Sequence, residues 1–230
     1  MGKFINYLED PFNGLKSSDV IGIQERCTTM AEKLFCDYGI KCGDRIFRLA
    51  EIEFYYYKKN ELNKKNELSN DNWDAPWNKE TYPRNKKAGE FFFHYSGVDI
   101  CFQCHFVEKA RDNEYGEFGG ILIRSLLDGD RIIAGPLFCA NTMMNTCNNE
   151  LPRLVPCTHQ TCEWGKDIRC GINSDKKQES DKKLFLCYYA KYVNNKEIQW
   201  DKVSEKISWD KKNEKFKQST RNYKKERGFQ

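Results

Sequence analysis

RIFRLAEIEFYYY, residues 45–57, alternates with the two-residue period of a β-strand. Phe47, Leu49, Glu51, Glu53 and Tyr55 fall on one face, and Ile46, Ala50, Ile52, Phe54 and Tyr56 on the other, which only Arg48 interrupts. The second set is expected to be the buried face. The first begins apolar and then sets two carboxylates between Leu49 and Tyr55. Two residues apart on a strand, their Cβ atoms stand roughly 6–7 Å from each other. Carboxylates that close suit acid/base chemistry. An edge strand with one solvated face would carry the same pattern.

Upstream, residues 1–44 read as a helical lead-in. Ser17, Ser18 and Asp19 offer an N-cap, and Val20, Ile21, Ile23, Cys27, Met30, Ala31, Leu34 and Phe35 then recur at three-to-four spacing until Gly39 and Gly43. Downstream, KKNEL occurs at 58–62 and again at 64–68 with almost no apolar face, as in an exposed insertion over 58–72. Residues 70–87 are irregular, punctuated by Pro76 and Pro83. EFFFHYSGVDICFQCHF, 90–106, predicts a hairpin turning at Tyr95-Ser96-Gly97. A buried strand carrying one charge, Arg124, follows over 119–126. Asp128-Gly129-Asp130 is a turn, residues 131–134 are a short strand, and Gly135-Pro136 opens a helix to Met144. Residues 145–182 are loop-like and contain several cysteines, and 183–193 (KLFLCYYAKYV) form a last strand.

At 230 residues the chain fits one domain over 1–200 with a basic tail over 201–230. An aromatic fraction of 14% with a mean hydropathy of −0.81 implies an aromatic interior under a charged surface. The net charge of +4 is too small to argue for an acidic partner, so the position of the lysines matters more. Between Lys202 and Arg227 ten Lys/Arg stand against four Asp/Glu, interleaved with Trp209, Phe216 and Tyr223. That mixture suits a phosphate backbone, and equally a solvated terminal helix or disordered tail. No stretch approaches the ~18 apolar residues of a membrane span, and the first residues lack an apolar signal core. Asn6 stands where a myristoylation signal requires Ser or Thr. An intracellular protein is expected, cytoplasmic or, in a eukaryote, nuclear. With no signal peptide and an odd count, the eleven cysteines are expected to be mostly free thiols. Cys101 and Cys104 would point to opposite faces of one strand. No second CxxC accompanies Cys101-x2-Cys104; Cys157, His159, Cys162 and Cys170 are the better zinc candidate because they read as loop, but the spacing gives no strong site and no metal is expected.

Taken in order, these pieces resemble the alkyladenine (3-methyladenine) DNA glycosylase family over residues 45–144. Glu53-Phe54-Tyr55 matches the glutamate, small residue and tyrosine that end the family's organising strand. Pro83-Arg84-Asn85 matches a loop motif, and Val98-Asp99-Ile100 is similar to a return strand in which the family has an asparagine. Leu122-Ile123-Arg124 resembles its buried apolar-apolar-Arg strand, and Gly135-Pro136 its Gly-Pro before a helix. The family's histidine after the catalytic strand has no counterpart, Asn78 standing nearest, and Asp99 replaces an asparagine that discriminates bases. The resemblance implies an α+β fold, a curved and mostly antiparallel β core with peripheral helices. It implies a monomeric DNA glycosylase acting on double-stranded DNA, without cofactor, metal or membrane.

Hydrolysing an N-glycosidic bond needs an activated water and stabilisation of an oxocarbenium-like state, and one carboxylate serves both. The resemblance places Glu53 there. A base flipped out of the stack needs aromatic walls, for which Tyr55, Phe93 and His94 are candidates. Tyr95 at the hairpin tip stands for the tyrosine that the family inserts into the duplex. Arg124 is expected either to hold the flipped nucleotide's phosphate or to neutralise a buried carboxylate such as Glu51 or Asp99. The strands offer no lysine for Schiff-base lyase chemistry, so a monofunctional enzyme is expected. Two other classes stay open: a non-catalytic nucleic-acid binder on the same fold, and a nucleoside or nucleotide N-glycohydrolase.

Overall fold

In the computed structural model the 45–57 stretch forms β2 (Arg45–Lys58), as its alternation predicts. The described residues are 2–15, 19–58, 87–105, 117–158, 163–167, 187–193, 196–200, 203–210 and 215–220. β2 is not an edge strand. One side pairs with β5 (Glu117–Asp128); the other pairs first with β1 (Tyr38–Cys42) and then with β9 (Cys187–Ala190). The sheet runs β3 (Phe91–His94), β4 (Gly97–His105), β5, β2, β1, β7 (Arg153–Pro156), with β6 (Arg131–Ala134) on β5 and β8 (Trp164–Asp167) on β9. These pairings are all antiparallel, and the sheet curls into a half-barrel. The described residues thus form a mixed α+β fold with three helices.

The helices are α1 (Gly2–Glu9), α2 (Val20–Cys36) and α3 (Pro136–Thr146). Asp19 caps α2 as expected, its carboxylate accepting from the Gly22 N–H at 2.9 Å. Ile23, Cys27, Met30 and Leu34, one stripe of α2, join the core. Phe54, Phe102 and Tyr188 form the aromatic centre of the sheet, and Phe12, just after α1, stands edge-on to Tyr56 and Phe102. Rings buried this way each contribute about 1.5–3 kcal/mol relative to exposure. The same segment is tied down by polarity: Gln103, held at a positive φ of 46°, accepts the Phe12 N–H on its buried side-chain oxygen at 3.0 Å.

Several expectations change. Residues 38–42 form β1, not the end of a helical lead-in, because Gly39 leaves room for Ile46 of the neighbouring strand to lie across it. Ile46 itself is 48% exposed, whereas Phe47 and Leu49, assigned to the opposite face, are buried. Within the 145–182 region lie two strands, β7 and β8, each completed by a distant partner that local composition does not signal. The last strand stops at Ala190; Tyr192–Val193 pair instead with Lys196–Glu197 as β10 and β11. The basic tail contains an antiparallel hairpin, β12 (Ser204–Asp210) with β13 (Lys215–Thr220), rather than a helix, and β12 runs alongside α3. Residues 59–86, with Asn78 and Pro83-Arg84-Asn85, lie outside the described residues, as do His159, Cys162 and Cys170.

Seven described cysteines, among them Cys101 and Cys157, are thiols, while Cys36 is disulfide-bonded. Burial pushes the Cys27 thiol well above its ordinary range. No helix among the described residues is long and apolar enough to cross a membrane.

Gly119 tests how tightly the centre of the sheet is filled. A Cβ there would come within 2.2 Å of the Phe102 ring. Gly119→Ala should therefore cost about 1–3 kcal/mol of stability by overpacking. Urea denaturation measures this, and an unchanged midpoint would show that Phe102 has room to move.

Candidate functional site

Register across the sheet gathers the polar residues. Phe92 pairs with Asp99, Asp99 with Leu122, Leu122 with Glu53, Glu53 with Cys187, and Cys187 with Asp167. Directly opposed residues share a face, so this row places three carboxylates on one side of the sheet. The Ile52, Phe54 and Tyr188 side packs under α2. Strands lie about 4.8 Å apart, so Asp99 and Glu53, two strands apart, have backbones about 10 Å from each other. Glu51, Tyr55 and His94 alternate onto the same face.

Glu51 and Glu53 are each 1% exposed, and Arg124 is 4% exposed. The Arg124 guanidinium bridges them, donating from Nε to Glu51 Oε1 at 3.3 Å and from a terminal nitrogen to Glu53 Oε2 at 3.1 Å. The Tyr55 hydroxyl donates to Glu53 Oε1 at 2.7 Å. Ser125 Oγ donates to Glu51 Oε2 at 3.0 Å, and the Cys187 thiol to Glu51 Oε1 at 3.6 Å. Each carboxylate oxygen therefore accepts at least one bond, the condition for burying such charges without prohibitive cost. Register irregularities around Glu51 explain how consecutive residues Arg124 and Ser125 both reach it: strict alternation would send them to opposite faces. Arg124 thus pairs with Glu51, one of the carboxylates it is expected to neutralise, and with Glu53 as well. On the opposite face, burial pushes the Tyr188 phenol far above its ordinary range, so it stays neutral there, bonded to Gln24 and Thr28.

Beside this cluster lies the hairpin turn. His94 stacks on Phe92, its Nδ1 is 2.9 Å from Ser96 Oγ, and its Nε2 is 3.5 Å from Asp99 Oδ1. Tyr95 is 82% exposed at the tip, as a side chain that reaches outward must be. Phe93 does not share the face of Glu53. It alternates to the other face and packs against the core, and Phe92 is the aromatic on the Glu53 row. Ser125, Cys187 and Phe92 are the members that pattern reading misses. Ser125 needs the irregular register, and Cys187 needs a pairing that spans 136 residues. Among the described residues no three His, Cys, Asp or Glu side chains converge as metal ligands.

Removing the guanidinium would leave two buried carboxylates without their cation. Arg124→Met should cost about 3–5 kcal/mol, read from urea denaturation, and adding Glu51→Gln should recover part of that loss. A strictly additive double variant would show that Arg124 and Glu51 are not coupled.

Comparison with known proteins finds no matching family model, no matching curated protein and no matching solved structure.

Proposed function

We propose that this protein is a monofunctional DNA glycosylase that hydrolyses the N-glycosidic bond of a flipped, damaged or modified base in double-stranded DNA. One observation carries the reading: Glu53 is clasped between the Tyr55 hydroxyl and the Arg124 guanidinium, on the face that also presents His94 and Asp99. A carboxylate fixed from both sides is oriented before substrate arrives, which is where much of a catalytic group's advantage lies. In the proposed reaction Glu53 takes a proton from water as the water oxygen bonds to the anomeric carbon. The bond from that carbon to the base nitrogen breaks, and the negative carboxylate stabilises the positive sugar. Each carboxylate oxygen has two lone pairs, so accepting from Tyr55 or Arg124 does not preclude accepting from a water. His94 and Phe92 would line the base, and Tyr95 would enter the duplex.

A second reading rests on the same carboxylate. At 1% exposure Glu53 also suits a brace between β2 and β5 in a nucleic-acid-binding protein without catalysis. Incubation with duplexes carrying a panel of modified bases, then alkali cleavage at abasic sites, separates the two. Glu53→Gln should stay folded, bind DNA about as well, and lose excision by at least about 10²–10⁴-fold. Glu51→Gln should be milder, since Glu51 acts through Arg124. Comparable excision by Glu53→Gln would remove Glu53 from the chemistry, and tight binding with no excision by the wild type would favour the binding protein.

The tail supplies a separate check. Deleting residues 202–227 should flatten the dependence of log affinity on log salt by about 0.9 for every phosphate that the tail neutralises. An unchanged slope would place the tail away from the DNA.

A further inference from the structure

We propose that Ser96, His94 and Asp99 form a second reactive centre, sharing His94 with the proposed base pocket: a serine nucleophile for acyl transfer from small carboxylic esters, whose chemistry does not use Glu53. The three side chains occupy one hairpin and line up in the order the chemistry requires. Ser96 is exposed at the turn, the His94 side chain is 20% exposed, and the Asp99 side chain is 2% exposed. Ser96 Oγ lies 2.9 Å from His94 Nδ1, and the other ring nitrogen faces Asp99 Oδ1 at 3.5 Å. Nucleophile and base are in hydrogen-bond contact, and Asp99 lies inward of them at ion-pair distance without hydrogen-bonding His94, so the three run from solvent to interior in the order by which a weak hydroxyl nucleophile is activated.

The turn fixes this order. His94 and Gly97 are paired across the β3–β4 hairpin, leaving Tyr95 and Ser96 as its two-residue loop, and Phe92 pairs with Asp99 two pairs inward. His94 and Asp99 thus sit diagonally on one face, and the Phe92 ring stacked on the imidazole limits its rotation. A proton on Nε2, facing Asp99, leaves Nδ1 to accept the Ser96 hydroxyl. The first turn of α3 abuts the loop, since a Cβ on Gly97 would lie 2.9 Å from Pro136 Cβ. That helix starts at Gly135 without a side-chain cap.

The steps balance. Ser96 Oγ bonds to the ester carbonyl carbon as its proton passes to His94 Nδ1. The carbon–oxygen bond to the alcohol breaks, and the alcohol leaves with that proton. Water then attacks the acyl-Ser96 ester, His94 takes and returns a proton, and the acid departs with Ser96 restored. Asp99 acts through His94, as a positioning residue that balances the imidazolium.

The test uses a fluorophosphonate, whose phosphorus bonds to an activated serine as fluoride leaves, and p-nitrophenyl acetate. The full-length wild type should take up one phosphonyl group, mapped by mass spectrometry to Ser96, and release p-nitrophenol. Ser96→Ala, at an exposed position that threatens no packing, should lose both. His94→Gln should slow acylation by about 10²-fold or more. Asp99→Asn should lower the acylation rate constant at unchanged KM, which a merely structural role would not do selectively. Ser96→Cys gives an independent readout: iodoacetamide should alkylate that thiol faster than it does in the Ser96→Cys, His94→Gln double variant. A folded wild type that takes up no phosphonyl group, labelling that persists in Ser96→Ala, or a Ser96→Cys thiol indifferent to His94 would overturn the proposal. Base excision, measured separately, stands or falls on Glu53 whatever this experiment returns.

Discussion

The guanidinium of Arg124, shared between Glu51 and Glu53, is the contact on which the rest of this structure depends. It joins β5 to β2 at the middle of the sheet, where β2 is also paired with β9. Two carboxylates with one cation leave an excess negative charge that hydroxyls and a thiol must spread. Tyr55, Ser125 and Cys187 do so, each from a different strand. An apolar trio of similar volume would often hold such strands together as well or better. A buried ionic cluster is thus a poor choice if stability were its only purpose, and that is the physical reason to look for function on this face.

Alternation makes the central strand legible, along with the hairpin, the β5–β6 turn and α3 after Gly135-Pro136. Alternation also places Glu51, Glu53 and Tyr55 together, and that much of the site follows from residues 45–57 alone. The rest is hidden for identifiable reasons. Phe93 reads as a pocket wall because three phenylalanines in succession hide which one faces inward; only the pairing of Phe92 with Asp99 decides it. β1 is obscured because Tyr38-Gly39-Ile40-Lys41-Cys42 follows α2 after a single residue and contains a glycine. β7 and β8 are four residues each and draw their order from partners far along the chain. Ser125 joins the cluster only because the ladder is irregular at Glu51. Periodicity cannot foresee a break in itself.

The two faces of the sheet divide the chemistry cleanly. Under α2, Tyr188 and Cys27 are buried among aliphatic and aromatic groups and stay neutral. On the other side, carboxylates, a guanidinium, an imidazole and hydroxyls lie within a few strands of each other. From Ala50 to Phe54, β2 is buried on both faces but apolar on only one.

The span of residues that encloses Glu51 has a consequence for how the protein is made. Its partners come from Arg124 and Ser125, 73 and 74 residues downstream, and from Cys187, 136 downstream. On the ribosome the carboxylates emerge long before any of them, at about 5–20 residues per second, and so spend seconds in water as ordinary charged side chains. The helices α1 and α2 and the β1–β2 hairpin can begin to associate early, but the pairing of β2 with β9 waits for residues 187–190. A chain truncated before residue 187 would therefore lack both the Cys187 thiol that donates to Glu51 and the β9 pairing beside Glu51 and Glu53.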